Sequence, residues 1–209
     1  VEQTDPNSLY TLMASDVINT LSPHLNIAGT QVLDVGGGPG YVAEAFDRAG
    51  GTCLTVDPSL DELHLHGRSQ RLAIVSDGQC LPFFSGQFNI VHCSNVLEHV
   101  PRPQQLLTEL SRCCAVNGLV YLSFTNWLSP WGGHELSPWH YLRAERAIKR
   151  YEARGGTVKN LPGTSLYKLK IGDVIKWLQQ DKTLEIVSIT PRYYPSWTKL
   201  ITRIPGIRE

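Results

Sequence analysis

Gln31-Val32-Leu33-Asp34-Val35-Gly36-Gly37-Gly38-Pro39-Gly40-Tyr41 is the stretch that decides the fold. Its first half is short, apolar and β-branched, with one carboxylate inside it, the pattern of a strand buried on both faces of a parallel sheet. Its second half is glycine and proline, which cannot continue the strand. Beyond it Val42, Ala45 and Phe46 share one helical face, so a helix is expected over 41–49. A glycine turn between a first strand and a helix lets a ligand approach the backbone closely. It also leaves the free N–H groups of the helix facing that ligand.

Outward from this stretch the same alternation continues. Short apolar runs at 53–56, 72–75, 88–93 and 119–124 read as four more strands. Asp57-Pro58 closes the second strand and Asp77-Gly78 the third, while Asn117-Gly118 turns into the fifth. Upstream, Leu9, Met13, Val17 and Leu21 repeat every four residues, so a helix is expected over 8–21 with Ser8 as its cap. Another is expected over about 103–114. Strands joined by helices imply an α/β fold: a Rossmann-like, doubly wound, mostly parallel sheet.

Past residue 125 the texture changes. Residues 126–140 hold three Trp, two Pro, two His and a Gly pair without periodicity. A basic helix is expected near 141–154, a loop over 155–165, a helix near 171–180 and a sixth strand over 184–189. The long insertion between strands five and six suits a lid or substrate wall. The reading is one domain over 1–209: a core at 30–125, an insertion at 126–170, and a C-terminal helix, strand and tail at 171–209. Pro191, Pro195 and Pro205 interrupt every window of the tail. The final strand of such a fold is therefore expected to be missing from this chain.

Composition narrows the function. The chain has 209 residues with 19 Lys plus Arg against 19 Asp plus Glu, a length that suits one domain with a real core. At 42 % apolar it is not a disordered chain. Zero net charge weighs against a nucleic-acid coat, which needs a positive surplus to displace counterions. Five cysteines without a CxxC pair read as buried free thiols of a reducing compartment, the cytoplasm. By segment, residues 1–140 carry a net −8 and residues 141–209 a net +8. The basic part includes Arg143, Arg146, Lys149, Arg150 and Arg154, then an aromatic-basic tail with Tyr193, Tyr194, Trp197, Lys199 and Arg203. Such a face suits an anionic substrate or peripheral contact with an anionic membrane surface; the plainer reading is a solvated face pairing with the acidic half.

Two cofactor classes use a glycine turn of this kind. Dinucleotide enzymes need G-x-G-x-x-G/A, and counted from Gly36 the third position falls on bulky Tyr41. The observed pattern is Asp34-x-Gly36-x-Gly38-x-Gly40. Val32 to Tyr41 resembles motif I of class I S-adenosylmethionine (SAM) methyltransferases. Asp57, Asp77-Gly78, Leu81-Pro82-Phe83 and Phe88-Asn89-Ile90-Val91 follow in the order of that family's later motifs. Ser94-Asn95-Val96-Leu97-Glu98-His99-Val100 resembles the post-strand motif of its type 11 branch. The resemblance covers roughly residues 30–125. It implies the class I methyltransferase fold, SAM as cofactor and S-adenosylhomocysteine as product. Residue by residue, it places the cofactor on Asp34, Gly36, Gly37, Gly38, Gly40 and Tyr41. It puts the ribose at Asp57 and Pro58 and the adenine at Asp77 and Gly78, with Ser94 and Asn95 at the end of strand four. Trp127-Leu128, Gly132-Gly133-His134-Glu135 and His140-Tyr141-Leu142 are similar to a narrower group of uncharacterised actinobacterial-type methyltransferases. So are Pro191-Arg192-Tyr193 and the segment from Ile204 to Glu209.

The expected activity is methyl transfer to a small or lipid-like acceptor, at oxygen. Oxygen nucleophiles benefit from a base near pH 7, which favours His. His134 ranks first, with Glu135 orienting it or binding substrate, then His99; His140 is a weaker candidate, and His92 reads as a core histidine. Trp127, Trp131 and Trp139 suit an apolar substrate cavity or packing of the insertion. No metal is expected, because His134-Glu135-x4-His140 lacks the H-E-x-x-H spacing and Pro138 breaks a helix between them. The alternatives are an NAD or nucleotide-sugar enzyme on the same sheet, and a non-catalytic SAM-binding regulator.

Overall fold

In the computed structural model, which describes residues 5–68, 70–141 and 143–191, β1 (Gln31–Val35) lies at the centre of a five-stranded sheet. The other strands are β2 (Thr52–Asp57), β3 (Ala73–Val75), β4 (Phe88–Ser94) and β5 (Cys114–Ser123), in the order β3-β2-β1-β4-β5. Every pairing is parallel. The chain leaves β1 toward β2 on one side and returns to β4 on the other. The crevice beyond the carboxyl ends of β1 and β4 is thus a topological switch point, where open α/β sheets bind ligands. The glycine loop stands at that crevice.

The helices are α1 (Pro6–Leu21), α2 (Tyr41–Arg48), α3 (Leu60–Leu63), α4 (Pro103–Cys113), α5 (Ala144–Glu152) and α6 (Ile171–Gln180). Val17 and Leu21 of α1 pack with Ala43 and Phe46 of α2 against Val32, Cys53 and Ile90 of the sheet. Phe46 is fully buried, and its truncation to Ala would cost about 3–5 kcal/mol.

Four local expectations are corrected. Asp5, not Ser8, caps α1: its carboxylate accepts from the Ser8 N–H at 3.1 Å. The Asn117-Gly118 turn lies inside β5, where Phe88 pairs with Cys114 but Ile90 with Leu119. Asn117 takes a φ of 64° there, and the extra residues bulge out of the ladder. No helix joins β3 to β4; the connection is held from α4 instead. Arg112 donates to the carbonyls of Leu81 and Phe83 and to Glu109, whose carboxylate accepts from the Leu81 N–H. Among the described residues the sixth strand expected over 184–189 is not seen. Val187 and Ile189 are exposed and the segment has no ladder, and an apolar run is not a strand until another strand takes its N–H and C=O groups. The tail over 192–209, on which the expectation of a missing final strand rests, lies outside the described residues.

The described chain falls into two compact units. The first, up to Val96 together with Gln105–Ser123, holds the sheet. The second comprises Leu97–Gln104 and the residues from Phe124 onward, so its long segment begins beside the change of texture seen in the sequence. Its interior is built from Leu136, Ala147, Leu166, Leu169, Val174 and Ile175, with buried Trp127, His140 and Glu98. No described helix is long and apolar enough to cross a membrane.

Candidate functional site

The glycine loop follows β1 without slack. Gly36, Gly38 and Gly40 all take positive φ, which side chains resist. A Cβ on Gly37 would sit 2.3 Å from the Asp34 carboxylate and 2.6 Å from Thr55, so the loop packs directly onto β1 and β2. A Cβ on Gly38 would meet nothing within 4 Å. The loop therefore has one tight side and one open side. Gly40 begins α2 at φ 79° with no side-chain cap, which leaves first-turn N–H groups available.

One carboxylate braces this loop, and a second lies packed beneath it. Asp57, buried at the end of β2, accepts from the Gly38 N–H at 3.2 Å and from the Ser59 N–H at 2.9 Å. Burial raises its pKa above the ordinary carboxylate value, against the pull of those two hydrogen bonds. Asp34 is fully buried in β1; one oxygen lies 2.7 Å from His92 Nδ1 on β4 and the other has no hydrogen-bond partner. Gln70 covers the loop from outside, donating to the Gly38 carbonyl at 2.6 Å. Nothing in the sequence signalled Gln70, because it belongs to no periodic or motif pattern.

The remaining cofactor candidates are placed as follows. Tyr41 is buried and stacks on Tyr10 at 5.3 Å, with the Arg68 guanidinium 4.0 Å from its ring centre. Its hydroxyl bonds to Asn7, so its ring and hydroxyl are committed to packing. Asp77 accepts from the Gln79 N–H at 2.8 Å, closing a turn, and Gly78 lies where a Cβ would press on Val35 and Leu106. Ser94 bonds to Ser123 at 2.5 Å, and Asn95 turns the chain at φ 55°. Pro58 follows Asp57 directly.

In the second unit the structure brings together Glu98, His99 and His134. The rings of His99 and His134 stand edge to face with centres 5.0 Å apart, and Glu98 lies beside them. Glu135 serves elsewhere: one oxygen accepts from the Lys159 and Asn160 N–H groups and the other from the Asn160 amide. Burial would raise its pKa, but these bonds outweigh it and the net shift is downward. The carboxylate thus fixes the 159–160 turn. His140 is buried, bonds to the Trp127 carbonyl at 3.0 Å and packs against the Trp127 ring; burial lowers its pKa, against the pull of that bond. Of the tryptophans, Trp127 is interior, Trp131 is exposed, and Trp139 lies under Arg150 at 4.0 Å. Trp139, Arg150, Tyr151 and Arg154 line a cavity of the second unit. The cysteines are free; burial raises the pKa of Cys53, Cys113 and Cys114, which makes them poor nucleophiles.

A parallel α/β sheet in this order, with a glycine loop at its switch point and an acid closing β2, defines the class I methyltransferase fold. The family model described as a methyltransferase domain matches residues 9–155, and this chain belongs to that family. An uncharacterised methyltransferase of Mycolicibacterium gilvum is 40% identical over all of this chain and 85% of its own length. Solved structures share the fold. A protein of Bacillus halodurans assigned as a methyltransferase superposes with a TM-score of 0.57 at 22% identity, over 79% of this chain and 68% of its own. The magnesium protoporphyrin IX methyltransferase of Synechocystis, solved with S-adenosylhomocysteine, gives 0.52 at 18% identity over 82% and 72%.

Proposed function

We propose that this methyltransferase moves a methyl group from SAM to an oxygen of a small or lipid-like acceptor, releasing S-adenosylhomocysteine. The observation that carries the cofactor reading is the brace between Asp57 and the Gly38 N–H, on a loop whose other side is open. The residues present fit SAM. Asp57 is a buried carboxylate at a strand's C-terminal end, suited to accept from ribose hydroxyls, and Asp34 keeps one oxygen without a hydrogen-bond partner. Bound there, SAM supplies an electrophilic methyl group on a sulfonium. Gly36, Gly37, Gly38 and Gly40 give it backbone contact, and Pro58, Asp77, Gly78, Ser94 and Asn95 extend the cofactor wall. Tyr41 supports the loop from behind. Methyl transfer is an in-line displacement, so positioning supplies most of the acceleration.

On the acceptor side, His134 is the first candidate to take the proton of an acceptor hydroxyl, with His99 second. Glu135 contributes by holding the 159–160 turn. The cavity with Arg150, Arg154, Trp139 and Tyr151 favours an acceptor that carries negative charge beside an apolar part. The same basic segment suits peripheral contact with an anionic membrane surface. The free thiols suit a reducing compartment, and the reaction is assigned to the cytoplasm. Incubation with methyl-labelled SAM and cell extract, followed by mass spectrometry, tests the reading. One labelled oxygen-linked product is expected. Tight NAD binding without SAM binding, or SAM binding without any labelled product, would overturn it.

A further inference from the structure

Glu98, His99 and His134 each present one ligating atom, and the three atoms lie within 4.8 Å of one another. The triplet is drawn from two places in the chain, the turn Leu97–His99 and the turn His134–Leu136, both in the second unit. Two of the three side chains are oriented by bonds on their far side. The Glu98 carboxylate accepts the Thr125 N–H at 2.9 Å through Oε1, and the Glu98 carbonyl accepts the Tyr167 N–H at 2.7 Å. Its Oε2 is buried and has no hydrogen-bond partner. The side chain is fully buried, and among the described residues no lysine or arginine forms an ion pair with it. His99 Nδ1 lies 2.7 Å from the Ser165 carbonyl. A carbonyl only accepts, so Nδ1 carries the hydrogen and the lone pair is left on Nε2. This is how outer-shell carbonyls fix a metal-binding histidine.

A buried carboxylate oxygen with no donor is costly unless a proton or a cation meets it. We propose that Glu98 Oε2, His99 Nε2 and a ring nitrogen of His134 bind one divalent transition-metal ion, zinc before others. Two imidazoles and one carboxylate are a donor set of zinc and its neighbours; magnesium and calcium prefer oxygen alone. Zinc bonds of about 2.0–2.2 Å in a tetrahedron set ligand atoms roughly 3.3–3.6 Å apart, so the three atoms draw together around the ion. Three protein ligands leave a further position open to an oxygen ligand. An ion there would change how the His pair serves an acceptor, from taking a proton to polarising an oxygen. The metal site uses the two histidines proposed as acceptor bases, but ion binding there does not depend on SAM being the cofactor.

The test is calorimetric titration of zinc chloride into the full chain after stripping with a chelator, with cobalt(II) absorption as a second probe. One equivalent is expected to bind. Glu98→Gln and His134→Ala should each weaken binding at least about tenfold, the low end of the cost of losing even an outer-shell partner. His24→Ala should leave it unchanged. Should Glu98→Gln not fold, by circular dichroism, the half-buried His134 position decides. No binding by the stripped chain, or undiminished binding by folded His134→Ala, overturns the proposal. SAM titrated into the same samples keeps the two readings separate: lost SAM binding with zinc binding retained would sink the methyl-transfer reading and leave the metal site standing.

Discussion

Asp34 and His92 stand directly opposite each other in the register of β1 and β4, with Oδ1 and Nδ1 2.7 Å apart and both side chains buried. The Tyr121 ring of β5 stacks on the imidazole at 5.2 Å, so one polar pair is clamped across three strands. The pair sits beneath the glycine loop, since the second Asp34 oxygen is what a Gly37 side chain would strike. His92→Phe should therefore destabilise the fold by about 3–5 kcal/mol, the cost of stranding one partner of a buried pair. The double variant with Asp34→Asn should recover part of that loss in urea denaturation. Strictly additive effects would mean that the two residues do not act together.

The two faces of the glycine loop make a second test. Gly38→Ala places a methyl group in open space, at a backbone φ of 49° that costs roughly 1–2 kcal/mol for a residue with a Cβ. Gly37→Ala forces contact with Asp34 and Thr55 inside the fold. The first variant is expected to fold and to bind SAM at least about tenfold more weakly, which is about 1.4 kcal/mol. The second is expected to lose the cooperative unfolding transition. Wild-type SAM affinity in folded Gly38→Ala would remove the open side of the loop as the cofactor wall.

These residues also mark how far sequence reading reaches. The glycine loop, Asp57 and the strand ends were legible because each is a residue type at a fixed place in a local pattern. The Asp34–His92 pair was not: 58 residues separate the partners, and only strand register sets them opposite. The grouping of Glu98 and His99 with His134 was hidden for the same reason, and attention to spacing within 134–140 pointed away from it. Segment 184–189 failed differently. Leu184, Ile186, Val187 and Ile189 make it apolar enough for a strand, but a strand exists through its neighbour, and no local pattern supplies one. Helix α6 formed as read, because its apolar face is a local property.

Glu135 gives a prediction about acid. Its pKa is lowered because the bonds from Asn160 and the backbone outweigh burial. A carboxylate whose folded pKa lies below its unfolded one stabilises the fold above the ordinary carboxylate range. That contribution is lost as pH falls through the folded value. Glu135→Gln should then lower stability near neutral pH by about 1.5–3 kcal/mol, the range for hydrogen bonds to a charged group. The difference from wild type should shrink as acid protonates Glu135. A gap that stays constant from neutral to strongly acidic pH would show that the carboxylate's charge plays no part in holding the 159–160 turn.

Asp57 should show the opposite sign, and the contrast separates stability from binding. Burial raises its pKa, the Ser59 and Gly38 bonds opposing, so its ionised form costs the folded state stability. Acid relieves that cost as pH falls from neutral through the raised folded value. On the proposed ribose contact, cofactor binding needs the ionised form, because a protonated carboxyl gives up acceptor capacity to the ribose hydroxyls and to the Gly38 N–H. SAM affinity is therefore expected to fall with acid at a higher pH than an ordinary carboxylate would produce, while the local stability cost declines. Asp57→Asn should weaken SAM binding by roughly tenfold to a hundredfold, the value of hydrogen bonds to a charged acceptor, and should flatten this pH dependence. Calorimetry of SAM binding across mildly acidic pH checks both. An unchanged profile in folded Asp57→Asn would take the ribose contact away from this residue.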